Sequence, residues 1–131
     1  MTSIAMLHHM SFGVADLARS GAFYDAVLAP LGYERVFTHP KALGYGYPGS
    51  AGEKFAIRPQ TDATVPGECF HVAFAAPSHE AVDAFYQAAL ANGGKDNGGT
   101  GFHPEYGKEY YAAFVFDPDG YRIEAVIHHA V

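Results

Sequence analysis

The chain has 131 residues, 49% apolar and 17% charged, the profile of a folded globular domain and not of a disordered segment. Eight basic against 14 acidic residues leave a net charge of −6, which argues against nucleic acid or an anionic membrane surface as a partner. No apolar run approaches the roughly 20 residues that cross a bilayer, so no membrane partner is expected. The first residues lack a signal-peptide pattern. A single cysteine, Cys69, excludes an internal disulfide and a cysteine-based zinc site, and the expectation is a reduced, cytoplasmic protein. Eight His, nine Tyr and ten Phe with no Trp direct attention to metal ligands and aromatic pocket walls.

In chain order, Met10, Phe12 and Val14 alternate with His9, Ser11 and Gly13, the period of a half-buried strand. Asp16 opens a helix that Pro30-Leu31-Gly32 closes, and short strands are expected near 33–38, 43–47 and 54–58. A second alternation sets Phe70, Val72 and Phe74 against Cys69, His71 and Ala73. Ser78 is positioned to cap the next helix, whose apolar stripe is Val82, Phe85, Tyr86, Ala89 and Leu90 and whose stop is Gly93-Gly94. Strands follow near 94–97, 110–116 and 121–128, the last two joined by the turn Asp117-Pro118-Asp119-Gly120. Between 97 and 108 the glycine-rich sequence reads as a long loop carrying His103, Glu105 and Tyr106 over a pocket mouth.

The two halves are copies. Offset by 62 residues, His9 to Gly32 lies on His71 to Gly94 without a gap, with nine identities that include the unbroken triplet Ala22-Phe23-Tyr24 on Ala84-Phe85-Tyr86. The order β-α-β-β-β therefore occurs twice. The expected fold is α+β, with two βαβββ modules forming a cupped mixed sheet and helices on its outer face. Residues 1–131 are expected to form one domain, with module 1 at about 5–62 and module 2 at about 67–131.

Parity then selects chemistry. His9 and His71 occupy equivalent repeat positions on the strand face away from the helix. In the last strand Ile123, Ala125 and Ile127 form the helix-facing set, which leaves Glu124 on the open side. Two neutral imidazoles and a carboxylate are a donor set for Zn, Fe, Mn, Ni or Co. His8 has the opposite parity to His9, His128 lies four residues beyond Glu124, and His39 and His79 read as surface residues. Cys69 has no activating neighbour in sequence and reads as a small buried hydrophobe.

With these residues in view, the sequence resembles the vicinal oxygen chelate superfamily of glyoxalase I, fosfomycin and bleomycin resistance proteins and extradiol dioxygenases. The resemblance rests on His9, Val14-Ala15-Asp16-Leu17, Ser20-Gly21-Ala22-Phe23-Tyr24, Phe70-His71-Val72-Ala73-Phe74 and Asp117-Pro118-Asp119-Gly120-Tyr121-Arg122-Ile123-Glu124. It implies paired βαβββ modules and metal ligands at His9, His71 and Glu124, with a fourth position at Ile57, where glyoxalase I has a carboxylate. Phe114 stands where extradiol enzymes have a tyrosine. The implied function is a metalloenzyme that chelates a small oxygenated substrate through vicinal oxygens on a divalent metal, as a glyoxalase-like lyase/isomerase or as a dioxygenase. Glu124 and His103 are its candidates for moving a proton. The alternative is a metal-free small-molecule or antibiotic-binding protein of the bleomycin-resistance type. The resemblance also implies a homodimer, with the site built within one chain or across two.

Overall fold

In the computed structural model, residues 5–128 are described; residues 1–4, read above for a leader, and residues 129–131, the end of the expected second module, lie outside them. The expected modules are present. Strand β1 (Met10–Val14), helix α1 (Leu17–Leu28) and strands β2 (Glu34–His39), β3 (Ala42–Gly46) and β4 (Phe55–Pro59) form the first. Strand β5 (Val72–Ala75), helix α2 (His79–Ala91) and strands β6 (Lys95–Phe102), β7 (Tyr110–Phe116) and β8 (Arg122–His128) form the second. Each module has its own four-stranded mixed sheet, ordered β1-β4-β3-β2 and β5-β8-β7-β6. The first and last strands of each module pair in parallel, and the remaining neighbours are antiparallel. Among the described residues no helix is long and apolar enough to cross a membrane.

Both helix starts obey the capping signals in the sequence. The Asp16 side chain accepts from Arg19 N–H and the Ser78 hydroxyl from Ala81 N–H, each supplying a partner to an otherwise orphaned helical donor. Phe23, Tyr24 and Val27 on α1 and Val82, Phe85 and Ala89 on α2 are fully buried, and they join the helix-facing residues of both sheets in one core. Each sheet thus turns one face to a helix. The other face is open.

Register decides which residues reach the open faces, and it corrects the reading of β4. Phe12 pairs with Ile57, and both lie in the core on the helix side, Ile57 with no exposure at all. The open-face residues of β4 are therefore Ala56, paired with Ser11, and Arg58, paired with Gly13. In module 2 the equivalent pair is Ala73 with Glu124. The module 1 counterpart of Glu124 is thus Ala56, not Ile57, and Arg58 shares its face. A slip of one residue exchanges the faces of a whole strand, and only pairing with β1 sets the count.

The expected loop at 97–108 is half strand. β6 continues to Phe102 through a bulge between Asp96 and Gly99, where Asp96 Oδ1 accepts from the N–H groups of Gly98 and Gly99. Gly98 (φ 125°) and Gly99 (φ 75°) occupy backbone conformations open to glycine, so here the glycines serve a bulge inside a paired strand and not a mobile cover. Cys69 is exposed, against its expected burial, and Phe70 is 39% exposed because pairing in β5 begins only at Val72.

The turn Asp117-Pro118-Asp119-Gly120 does more than reverse the chain. Asp117 Oδ1 accepts from Asp119 and Tyr121 N–H, and Gly120 adopts φ 98° to close the turn. The same turn then reaches into module 1. Asp119 accepts from Ala15 N–H, Arg19 and Ser20, and Asp117 accepts from the buried Tyr24 hydroxyl at 2.6 Å. Tyr121 donates to the Gly13 carbonyl and stacks on Phe12 with ring centroids 4.0 Å apart.

Candidate functional site

The open face of module 2 is built around Glu124. As the parity of β8 predicts, Ile123, Ala125 and Ile127 face the core, and Glu124 takes the other side. Its carboxylate is nevertheless almost wholly enclosed, at 1% exposure. An enclosed carboxylate needs a partner for each oxygen. Oε1 lies 2.9 Å from His71 Nε2, and Oε2 accepts the Tyr110 hydroxyl at 2.7 Å. The pair lines a cavity of about 340 Å³ whose wall includes Tyr106, Phe114, Asn97 and Arg122. Arg122 shares the parity of Glu124 and sits with its guanidinium 5.4 Å from the Phe116 ring centre.

Burial, followed by the contact with Glu124, pushes the Tyr110 phenol well above its usual range. Tyr110 is therefore a firm donor at neutral pH. His103 stands edge-on to Phe114, with centroids 4.8 Å apart, and stacks against Tyr106, so both cavity walls touch it. Glu105 lies behind it, with Oε2 3.4 Å from His103 Nδ1. The Glu105 carboxyl is held below its usual range, first by its own backbone N–H and then by His103.

His9 lies elsewhere. It precedes β1 beside His8, with the two Nδ1 atoms 2.8 Å apart, and both histidines are exposed. Regular alternation does not separate them, because the strand begins only at Met10. His9 lines a different cavity of about 290 Å³, walled by Met10, Tyr47 and Phe74 at the junction of the modules. Among the described residues of one chain, no group of three or more His, Cys, Asp or Glu side chains could hold a metal ion. The fold thus brings His71 and Glu124 together and leaves His9 apart within the single chain.

The donor pair itself suits a metal. Imidazole and carboxylate are donors that first-row divalent metals take, and here Nε2 and Oε1 face one another at 2.9 Å. Tyr110 was legible only as an aromatic for core or wall. The missing signal was its parity with Phe114 on β7, which places both on the face of Glu124.

A profile described as the glyoxalase/bleomycin resistance protein/dioxygenase superfamily matches residues 6–125. The chain belongs to that superfamily. Among solved structures, a glyoxalase/bleomycin resistance protein from Albidiferax ferrireducens T118 is 35% identical, covering 93% of this chain and 98% of its own, with a TM-score of 0.82. A glyoxalase-related enzyme from Fulvimarina pelagi shares the fold at 19% identity, covering 95% of this chain and 89% of its own, with a TM-score of 0.71. The genomically encoded fosfomycin resistance protein FosX from Listeria monocytogenes does so at 20% identity, covering 98% of this chain and 97% of its own, with a TM-score of 0.70. No curated protein matches the chain. Within the glyoxalase/bleomycin resistance protein/dioxygenase superfamily, this member has one module whose open face pairs imidazole with carboxylate and another whose open face carries Ser11, Ala56 and Arg58.

Proposed function

We propose that the protein is a metalloenzyme of vicinal-oxygen chemistry, with a divalent ion held by His71 and Glu124 of one chain and His9 of a second copy. The observation that carries this reading is the 2.9 Å approach of His71 Nε2 to Glu124 Oε1 at the wall of an open cavity. Two imidazoles and one carboxylate leave positions for two neighbouring substrate oxygens. The ion, when bound, acts as a Lewis acid toward those oxygens. A small oxygenated substrate fits a cavity of this size.

The chain's own residues do the rest. Phe114 and Tyr106 line one side of the cavity, and Arg122 presents a positive charge two residues from Glu124. His103, with Glu105 behind it, is the group we assign to proton movement at the mouth, through Nε2. Glu124 supplies charge that offsets part of the ion's own.

The second copy follows from what one chain leaves undone. β1 and β5 are edge strands of separate sheets, and His9, just before β1, and Ala73, within β5, are exposed. Seating the module 1 face of one copy on the module 2 face of another covers both edges and brings His9 to the incomplete pair, twice in a symmetric dimer.

The test is metal binding together with subunit mixing. His71→Ala should lose tight binding of Mn²⁺, Ni²⁺ or Zn²⁺ by calorimetry, at least about a hundredfold, whereas His8→Ala should retain it. Mixing His9→Ala with His71→Ala protein should recover binding at one site per hybrid dimer. Equal retention in both single variants sinks the metal site and favours a metal-free binding protein. A monomer in sedimentation at micromolar concentration sinks the shared site.

A further inference from the structure

Tyr110 and Glu124 are not cross-strand neighbours. In the β7–β8 ladder Tyr110 pairs with His128, Ala112 with Val126, and Phe114 with Glu124. The Tyr110 hydroxyl therefore reaches along the sheet to the carboxylate of a residue four pairs away in the ladder, two of them on the same face, and its contact is 2.7 Å long. All these residues share one face, and between the two partners stands Ala112, whose methyl group leaves the path clear. Phe114, directly opposite Glu124, offers no hydroxyl of its own. The carboxylate is left with one oxygen on the imidazole and the other on a phenol.

Resting on the metal reading above, we infer that Tyr110 is a positioning residue that makes Glu124 a one-oxygen ligand. A carboxylate can bind an ion through one oxygen or both, and the choice sets how many positions remain for other ligands. With Oε2 held by a charge-assisted hydrogen bond to Tyr110, only Oε1 is turned toward His71 and the ion. Two-oxygen binding would turn Oε2 toward the ion and strain its hydrogen bond to the phenol. Tyr110 would thus leave a bound ion free to take another ligand in the cavity that His71 and Glu124 line. Outer partners of this kind orient ligands and tune the ion they hold.

Tyr110→Phe removes one oxygen atom and keeps the ring, so the native fold is retained; an unfolding midpoint near that of the wild type verifies it. The probe is Mn²⁺ alone, added to the full-length protein, with bound water counted by water-proton relaxation and affinity by calorimetry. In Tyr110→Phe the count of inner-sphere waters should fall by one as Glu124 closes onto the ion with both oxygens, while calorimetry verifies that the ion is still bound. A wild-type water count in Tyr110→Phe overturns the inference while leaving the metal site standing, provided that His71→Ala has lost Mn²⁺. If the wild type binds no Mn²⁺, or His71→Ala binds it equally well, the site reading fails and this inference fails with it.

Discussion

The two modules place the same backbone around different chemistry. His9 and His71 are repeat equivalents, and so are Ser11 and Ala73, yet the strand paired beside them carries Ala56 in module 1 and Glu124 in module 2. Their turns differ as well. The segment joining β3 to β4 makes local contacts, such as Ser50 N–H to the Tyr47 carbonyl and the Ser50 hydroxyl to the Gly52 carbonyl. The corresponding turn of module 2 reaches across to α1 through Asp117 and Asp119. Duplication has preserved the scaffold, while the carboxylate and a turn that bonds to the other module belong to one half. Fold and site are separable layers of this sequence.

The sharpest way to break that comparison is to exchange the two faces of β4. Ile57→Glu buries a charge in the core and should cost more than about 4 kcal/mol, read as a lost or strongly shifted urea transition. Ala56→Glu instead places a carboxylate at the module 1 equivalent of Glu124. It should fold and, in the dimer proposed above, tighten divalent-metal binding about tenfold by adding an oxygen donor. If Ile57→Glu were the benign substitution, the register described here would be wrong.

A smaller effect tests the asymmetry of the turns. Tyr24→Phe leaves Asp117 Oδ2 without its buried donor and should destabilise by about 1–3 kcal/mol. Ser50→Ala, in the turn of module 1, should fall within about 0.5 kcal/mol of the wild type. Equal costs in the two turns would remove the distinction.

The smallest expected effect is a slope with pH. Burial pushes the Asp117 carboxyl up, against the Tyr24 hydroxyl and the N–H groups of Tyr121 and Asp119, which pull it down. A carboxyl raised in the folded state contributes stability fully below its unfolded pKa of about 4, and that contribution fades as pH rises through the folded value. Wild-type stability relative to Asp117→Asn should therefore decline between pH 4 and 7. A difference that grows toward pH 7 in paired urea titrations would show that hydrogen bonding outweighs burial at this carboxylate.

What could be read from the sequence was what lies within one element. Alternation gave the faces of β8, and hence Glu124; Asp16 and Ser78 announced both helix starts, and the repeat announced the two modules. What could not be read depends on a partner strand. The face of Ile57 follows from its pairing with Phe12, the extension of β6 from a bulge that its glycines disguised as a loop, and the reach of Tyr110 from the small residue at position 112. The cross-module role of Asp119 was equally hidden, since its partners Arg19 and Ser20 lie about a hundred positions earlier. Local periodicity carries no information on such distances.

That turn has a consequence for how the chain reaches its native state. Its bonds to module 1 span 93 to 108 residues of sequence, so the start of α1 and the end of β1 must wait for the hairpin of β7 and β8. Contacts of such separation are late and slow to close. During synthesis the first module emerges with Tyr24 and the Gly13 carbonyl still lacking these partners, which arrive only with Asp117 and Tyr121. The repeat looks as if it could fold one copy at a time; the hairpin makes the first copy depend on the second.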